Sequence, residues 1–179
     1  LFDITTNILG SIREVIEEVK PDVVLVHGDT STAFATALAC LYLQTPVGHV
    51  EAGLRTYNIY SPYPEEFNRQ VVGIVSQYNF APTQLAADYL IKEGKNPDNI
   101  YITGNTVIDA IQHTVRLDYY HEELDWVGDD KLIFITAHRR ENLGEPMHHM
   151  FRAIRRVLDE HPECKAVYPI HMNPVVRQA

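Results

Sequence analysis

Apolar residues recur at helical spacing at Ile4, Ile8, Ile12, Ile16 and Val19, so the opening "LFDITTNILGSIREVIEEV" predicts an amphipathic helix. "KPD" stops it. The next run, "VVLV" at 23–26, is short, β-branched and wholly apolar, as a strand buried on both faces should be. After "HGDT", residues 31–43 are rich in Ala and Leu and read as a helix capped by Thr30 or Ser31. The alternation repeats with a strand at 46–50, a helix from about Pro64 to Gln77 and a strand at 78–81. A helix capped by Thr83 and ended by Gly94 follows, then a strand at 99–103 and a helix from about Asn105 to Arg116. Strand and helix alternating at this short period predict an α/β fold, a doubly wound parallel sheet covered on both faces.

Between Leu117 and Asp130 the pattern breaks, with acids and aromatics but little strand character. Beyond it "KLIFITA" (131–137) predicts a new buried strand, 145–160 a helix and "CKAVYPI" (164–170) another strand. The chain opens without Met inside a helix and closes at "NPVVRQA" as another begins, so a piece of a longer protein is expected.

Composition narrows the function classes. At 179 residues the chain holds one good core or parts of two. A formal charge of −9 with thinly spread basic residues argues against a nucleic-acid groove. The tightest basic cluster, Arg152, Arg155 and Arg156, fits the solvated face of a helix. The longest nearly apolar stretch, "AFATALACLYL", falls short of the roughly 18 residues of a membrane span, and no signal peptide is visible. A soluble protein is expected. Cys40 and Cys164 form no CxxC and sit among apolar residues, so each reads as a buried thiol in a reducing cytosol. The nine histidines include no HExxH, and the pair at 148–149 has no nearby ligand at a useful spacing, so no metal site is expected.

Ligands of a doubly wound sheet bind beyond the carboxyl ends of its strands. The segments there are "HGDT" (27–30), "EAGLR" (51–55), "PT" (82–83), "GNT" (104–106), "HRREN" (138–142) and "HMNP" (171–174). His138, Arg139 and Arg140 supply donors suited to phosphate. The helix starts at "GDTST" and "GNT" offer backbone N–H groups for the same purpose. Neither segment is GxGxxG or a Walker A loop, so the expected ligand is phosphorylated without being a dinucleotide or ATP. Asp29, Glu51 and the Glu65/Glu66 pair supply acid and base, and neighbouring helix residues point about 100° apart, so one of that pair faces the site. Each residue also has a plainer reading. Asp29 could cap a helix, Glu51 could pair with Arg55 and Glu65 with Arg69, His49 fits a core position, and "HRREN" fits a solvated turn. Their placement at successive strand ends favours chemistry.

At these residues the sequence resembles the bacterial non-hydrolysing UDP-N-acetylglucosamine 2-epimerase family. The matching segments are "PDVVLVHGDTSTAFATALA", "PVGHVEAGLRTYNIYSPYPEEFNRQ", "FAPT", "TGNTVIDA", "ITAHRRENLG" and "YPIHMNP", in the family's order and across nearly the whole chain. The resemblance implies a GT-B architecture, two Rossmann-like domains with the nucleotide sugar in the cleft between them, only partly covered by this chain. Residues 1–118 would be the later part of the N-terminal domain, 119–130 a junction, and 131–179 the start of the C-terminal domain. It implies reversible conversion of UDP-N-acetylglucosamine to UDP-N-acetylmannosamine without NAD, metal or other cofactor. In that route UDP leaves carbon 1 as the carbon 2 proton is removed, and re-addition to the 2-acetamidoglucal delivers a proton to the opposite face.

Residue by residue, the resemblance implies Asp29, Glu51 and Glu65 as the acid/base set, with His138 acting at the UDP diphosphate. Arg69, His138, Arg139 and Asn142 are implied as substrate contacts. Glu65, Arg139 and His171 match the positions where a second UDP-N-acetylglucosamine activates some members. A cytoplasmic homodimer serving cell-surface polysaccharide synthesis is implied, with no nucleic-acid or membrane partner. The 179-residue piece alone is expected to have little activity, because nucleotide-binding segments of the family are missing from it. The rival readings are a hydrolysing 2-epimerase, a GT-B glycosyltransferase and a non-catalytic nucleotide-sugar sensor. The carboxylate set favours catalysis over sensing, and "HRREN" with "EAGLRT" favours the epimerase over a transferase.

Overall fold

The predicted alternation becomes, in the computed structural model, a parallel sheet in the order β1 (Val24–His27), β2 (Val47–Val50), β3 (Tyr78–Ala81) and β4 (Ile100–Ile102). The structure describes residues 1–139 and 142–178. They divide into two compact units, Leu1–Thr114 and Val115–Ala179.

In the first unit the helices are α1 (Phe2–Val19), α2 (Ser31–Tyr42), α3 (Glu65–Val75), α4 (Gln84–Lys92) and α5 (Thr106–Thr114). The Thr30 and Thr83 hydroxyls cap α2 and α4, accepting from the Ala33 and Ala86 N–H groups at 3.2 Å each. Along α1 the expected apolar stripe is only partly used: Ile16 is buried and Leu9 and Ile12 pack beside it, while Ile4 and Val19 are exposed.

The register pairs Val26 with His49 and His49 with Asn79, so their side chains share one face of the sheet. On that face Val26 and Val47 pack with Ala33, Ala37 and Cys40 of α2, Val72 of α3 and Ile16 of α1. Ala81 packs with Ala86, Ala87 and Leu90 of α4. The opposite face, with Leu25, Val50, Phe80 and Tyr101, is left partly open among the described residues. Leu25 is 62% exposed. The strand at 23–26 is therefore not buried on both faces as expected; β1 begins at Val24 and only Val26 is buried. The reason is topological. Sequential parallel strands joined by crossovers of one hand send their helices to the same side.

The second unit pairs β5 (Lys131–Phe134) with β6 (Cys164–Val167) in parallel and adds α6 (Glu122–Val127), α7 (Glu145–Glu160) and α8 (Pro174–Gln178). Lys165 joins α6 to β6: its ammonium donates to the Trp126 carbonyl at 2.6 Å and lies 5.0 Å from the indole centroid. Leu132 and Phe134 are exposed, which corrects the expectation of a buried strand at 131–137. A two-stranded pair gives those side chains too little cover. Cys40 is buried, but Cys164 is half-buried, so the buried-thiol reading holds for one cysteine only. Arg155 and Arg156 lie exposed on α7, paired with Asp159 and Glu160 one turn on. No helix among the described residues is long and apolar enough to cross a membrane.

Candidate active site

The turn after β1 decides what Asp29 is for. Thr30 caps α2, which leaves the Asp29 carboxylate to accept from the Arg69 guanidinium of α3. Asp29 is thus no helix cap, and Arg69 does not serve Glu65 as its ion-pair partner. Beside this turn the Gly28 N–H donates to the Val50 carbonyl at 2.9 Å, tying the tips of β1 and β2 together.

Glu51 follows β2 directly with φ of 67°, a left-handed conformation that costs a residue with a side chain. Its Oε2 lies 3.7 Å from Nε2 of His27, the last residue of β1. The Thr106 hydroxyl lies 3.3 Å from the same nitrogen. The ends of β1 and β2 and the start of α5 therefore meet at His27, with Glu51 only 29% accessible.

Arg55 does not pair with Glu51. Its side chain is wholly buried and grips Glu93, at the end of α4, through Nε at 2.8 Å and Nη2 at 2.7 Å. Two glycines make this route possible. A Cβ on Gly53 would collide with the Ala86 carbonyl of α4, and one on Gly73 would lie 2.8 Å from Arg55 Nη2. The loop is thus pressed against α3 and α4 before it turns back through Pro62 and Pro64.

The two glutamates opening α3 have separate jobs. Glu66 is fully buried and accepts from the Thr56 and Tyr57 N–H groups at 3.0 Å each, the Gln70 amide at 2.8 Å and Arg69 Nη1 at 3.3 Å. Burial pushes its carboxyl up, but the Gln70, Thr56 and Tyr57 hydrogen bonds and the Arg69 charge more than offset this and hold it below the ordinary range. Glu66 is the staple that closes the loop. Glu65 is half-buried, with no hydrogen bond or ion pair to its carboxylate among the described residues.

His49 sits in the core, as expected, and its Nε2–H donates to the Gly28 carbonyl at 2.8 Å. Burial draws the imidazole down to about 4, so it is neutral at pH 7.

In the second unit His138 follows β5 and His171 follows β6, and their rings stack at 5.1 Å between centroids, 29° apart. The Asn142 N–H donates to the Arg139 carbonyl at 3.1 Å, and the Asn173 N–H to His171 Nδ1 at 3.1 Å. Arg140, expected beside Arg139 as a phosphate donor, and Glu141 lie outside the described residues. At each of the two helix starts offered for phosphate, one N–H is taken by a side chain. Thr30 takes the Ala33 N–H at α2, and the Asn105 side chain takes the Val107 N–H at α5, at 2.9 Å.

The structure thus sets Asp29, paired with Arg69 of α3, and Glu51 at adjacent strand ends of the first unit, and joins His138 to His171 in the second, while Glu65 opens α3 one turn before Arg69. His27 and Thr106 lie in the quoted "HGDT" and "GNT" but carry no role from sequence alone, since they meet only across 79 residues of chain. The choice left open between Glu65 and Glu66 is decided by Glu66 being the buried one. Asp29 is anchored by the Arg69 guanidinium and Glu51 stands beside the His27 imidazole, so the two carboxylates have different partners.

Against known proteins, the whole chain, residues 1–179, matches the family model described as UDP-N-acetylglucosamine 2-epimerase. It is 58% identical to the UDP-N-acetylglucosamine 2-epimerase of Bacillus subtilis over 179 residues, which is 100% of this chain and 47% of that protein. Among solved structures, a UDP-GlcNAc 2-epimerase from Neisseria meningitidis bound to UDP-GlcNAc superposes with a TM-score of 0.89 at 44% identity, over 98% of this chain and 49% of that one. The Methanocaldococcus jannaschii UDP-GlcNAc 2-epimerase in complex with UDP-GlcNAc and UDP gives 0.82 at 33% identity, over 97% and 48%. The chain spans about half the length of the curated relatives it matches.

Proposed function

Because this chain belongs to the UDP-N-acetylglucosamine 2-epimerase family, we propose that the complete protein interconverts UDP-N-acetylglucosamine and UDP-N-acetylmannosamine. The observation that carries the reading is the pair of differently partnered carboxylates on adjacent strand ends, Asp29 with Arg69 and Glu51 with His27.

The reaction proceeds by elimination and re-addition. One carboxylate takes the carbon 2 proton, the C1–O bond breaks with its electrons going to UDP, and a 2-acetamidoglucal remains. Re-addition of UDP at carbon 1 and of a proton to the other face of carbon 2 gives the epimer. Inversion calls for a base on one face and an acid on the other, which Asp29, Glu51 and Glu65 supply between them. The departing diphosphate gathers negative charge that His138 and Arg139 meet, with Arg69 and Asn142 among the substrate contacts. The family resemblance supports these assignments, as it does the division into an N-terminal domain through residue 118 and a C-terminal domain from residue 131. It also supports a cytoplasmic homodimer, and a second UDP-N-acetylglucosamine bound through Glu65, Arg139 and His171 as activator.

The test is to incubate the complete protein with UDP-N-acetylglucosamine and follow the sugar and phosphorus by NMR. UDP-N-acetylmannosamine with its diphosphate linkage intact supports the reading. Free N-acetylmannosamine plus UDP would assign the hydrolysing reaction instead, and binding with no turnover would make the protein a sensor. For the activator, the rate should be sigmoidal in substrate. A hyperbolic dependence that His171→Ala leaves unaltered would remove it.

A further inference from the structure

Asp29 is held by more than its carboxylate. The peptide group before its Cα ends in the Gly28 carbonyl, which accepts from His49 Nε2–H at 2.8 Å. The peptide group after it ends in its own carbonyl, which accepts from Asn68 Nδ2–H at 2.8 Å. Both donors are buried, His49 wholly and Asn68 at 3% exposed. They come from different elements, β2 and α3. Fixing the two peptide planes that flank a Cα fixes the direction of its Cα–Cβ bond, and with it where the side chain aims.

His49 is a costly way to fill a core position. Its Nδ1 is buried without a hydrogen-bond partner among the described residues, a penalty that a leucine there would not carry. What the imidazole offers in exchange is a single N–H aimed at Gly28. The acceptor is a carbonyl, so the proton must sit on Nε2, and the neutral ring has none left for Nδ1.

We infer that His49 and Asn68 are positioning residues for Asp29, setting its two flanking peptide groups while Arg69 holds its carboxylate. The inference rests on the reading of Asp29 as one of the acid/base carboxylates. Neither residue needs to meet the sugar. Their effect is on the rate of carbon 2 proton transfer and not on substrate affinity, because sub-ångström misplacement of a proton-transfer group acts in the transition state.

The test uses the complete protein and a double-mutant cycle. His49→Leu removes the donor at similar volume, and His49→Gln returns an N–H close to the same place. His49→Leu should lower kcat for UDP-N-acetylglucosamine about 10²-fold with KM nearly unchanged, and His49→Gln should recover most of the loss. In an Asp29→Asn background, His49→Leu should cost little more. A purely structural role predicts equal losses in both backgrounds, no rescue by glutamine, or a fall in kcat that only tracks the folded fraction; any of these overturns the inference. Full activity in Asp29→Asn would instead remove Asp29 from the acid/base set, and the inference would fall with it. Should His49→Leu not fold, ¹⁵N NMR of the unaltered protein decides. A neutral ring protonated on Nε2 at pH 7 supports the inference, and protonation on Nδ1 overturns it.

Asn68→Asp keeps the shape while removing the donor, and should repeat the kcat-selective loss. A change confined to KM would exclude Asn68.

Discussion

The strand ends of the two units carry similar side chains held in contrasting ways. In the Leu1–Thr114 unit, Arg69 joins Asp29 to the buried Glu66, Glu66 closes the 51–63 loop, and His49 and Asn68 brace the Asp29 turn. All six buried polar residues, Thr36, His49, Glu66, Asn68, Ser76 and Asn79, belong to this unit among the described residues. In the Val115–Ala179 unit His138, Arg139, Asn142 and His171 are exposed, and the buried apolar side chains among the described residues are Val127, Met147 and Val176. The difference fits the two kinds of work proposed for these residues. A carboxylate that moves a proton has to be aimed, whereas a cation that meets a diphosphate acts through charge and tolerates a looser mount.

Substitutions can break this comparison, and the largest effect is expected at Glu51. Glu51→Gln should leave the fold intact and slow carbon 2 exchange by roughly 10²–10⁴-fold, the usual worth of a general acid or base. Retained exchange, followed by NMR, would remove Glu51 from the set.

Next in size is Arg69→Met, which leaves Glu66 buried beside a lost charge and Asp29 unpaired. Glu66 keeps its Gln70, Thr56 and Tyr57 donors, so the cost should be about 3 kcal/mol, the low end for breaking a buried pair. Urea unfolding measures it. A cost under about 1 kcal/mol, as for an exposed pair, would make the first unit's network no firmer than the second's.

The pH dependence of stability sharpens the contrast further. Burial draws His49 from its ordinary 6.5 to about 4; the Gly28 hydrogen bond opposes this, Arg55 adds to it, Asp29 opposes it and His27 adds slightly. The unfolded chain therefore takes up this proton near pH 6.5 and the folded chain only near 4. The resulting stability is complete above pH 6.5 and is lost as pH falls toward 4, on the order of 3 kcal/mol. Glu66, held below its ordinary range, adds a loss in the same direction at lower pH. Unfolding followed from pH 7 to 4 should show this limb, and His49→Gln should flatten it above pH 5. A limb unchanged in that variant would place the titration elsewhere.

The smallest effects belong to the second unit. Arg139→Ala should raise KM for the nucleotide sugar about tenfold and move stability by no more than about 0.5 kcal/mol, as expected for an exposed side chain. A larger loss of stability would show that this side is braced too.

Much of this was legible in the sequence where local rules govern. Thr30 and Thr83 were readable as caps, 145–160 as a helix and 78–81 as a strand, because the signals lie within a few residues. Asp29 and Glu51 were legible as charges at strand ends, and Arg69 as a charge on the helix that follows. Their partners were not. Spacing offered Glu51–Arg55 and Glu65–Arg69, but Arg55 reaches Glu93 across 38 residues and Arg69 reaches Asp29 across 40. Which of Glu65 and Glu66 is buried depends on where the loop from Thr56 lands, a tertiary fact that no helical period contains. The open faces around Leu25 and Phe134 were missed for the same reason, since an apolar run records what a strand can bury and not what covers it.

In the proposed reaction these strand-end carboxylates move the proton at carbon 2. The direct measurement is to incubate the complete protein with UDP-N-acetylglucosamine in heavy water and read carbon 2 by ¹H NMR. Deuterium at carbon 2 with the bond to UDP intact is predicted, and it should be lost in Glu51→Gln. Epimerisation with retention of the original carbon 2 proton, or no exchange at all, would contradict it.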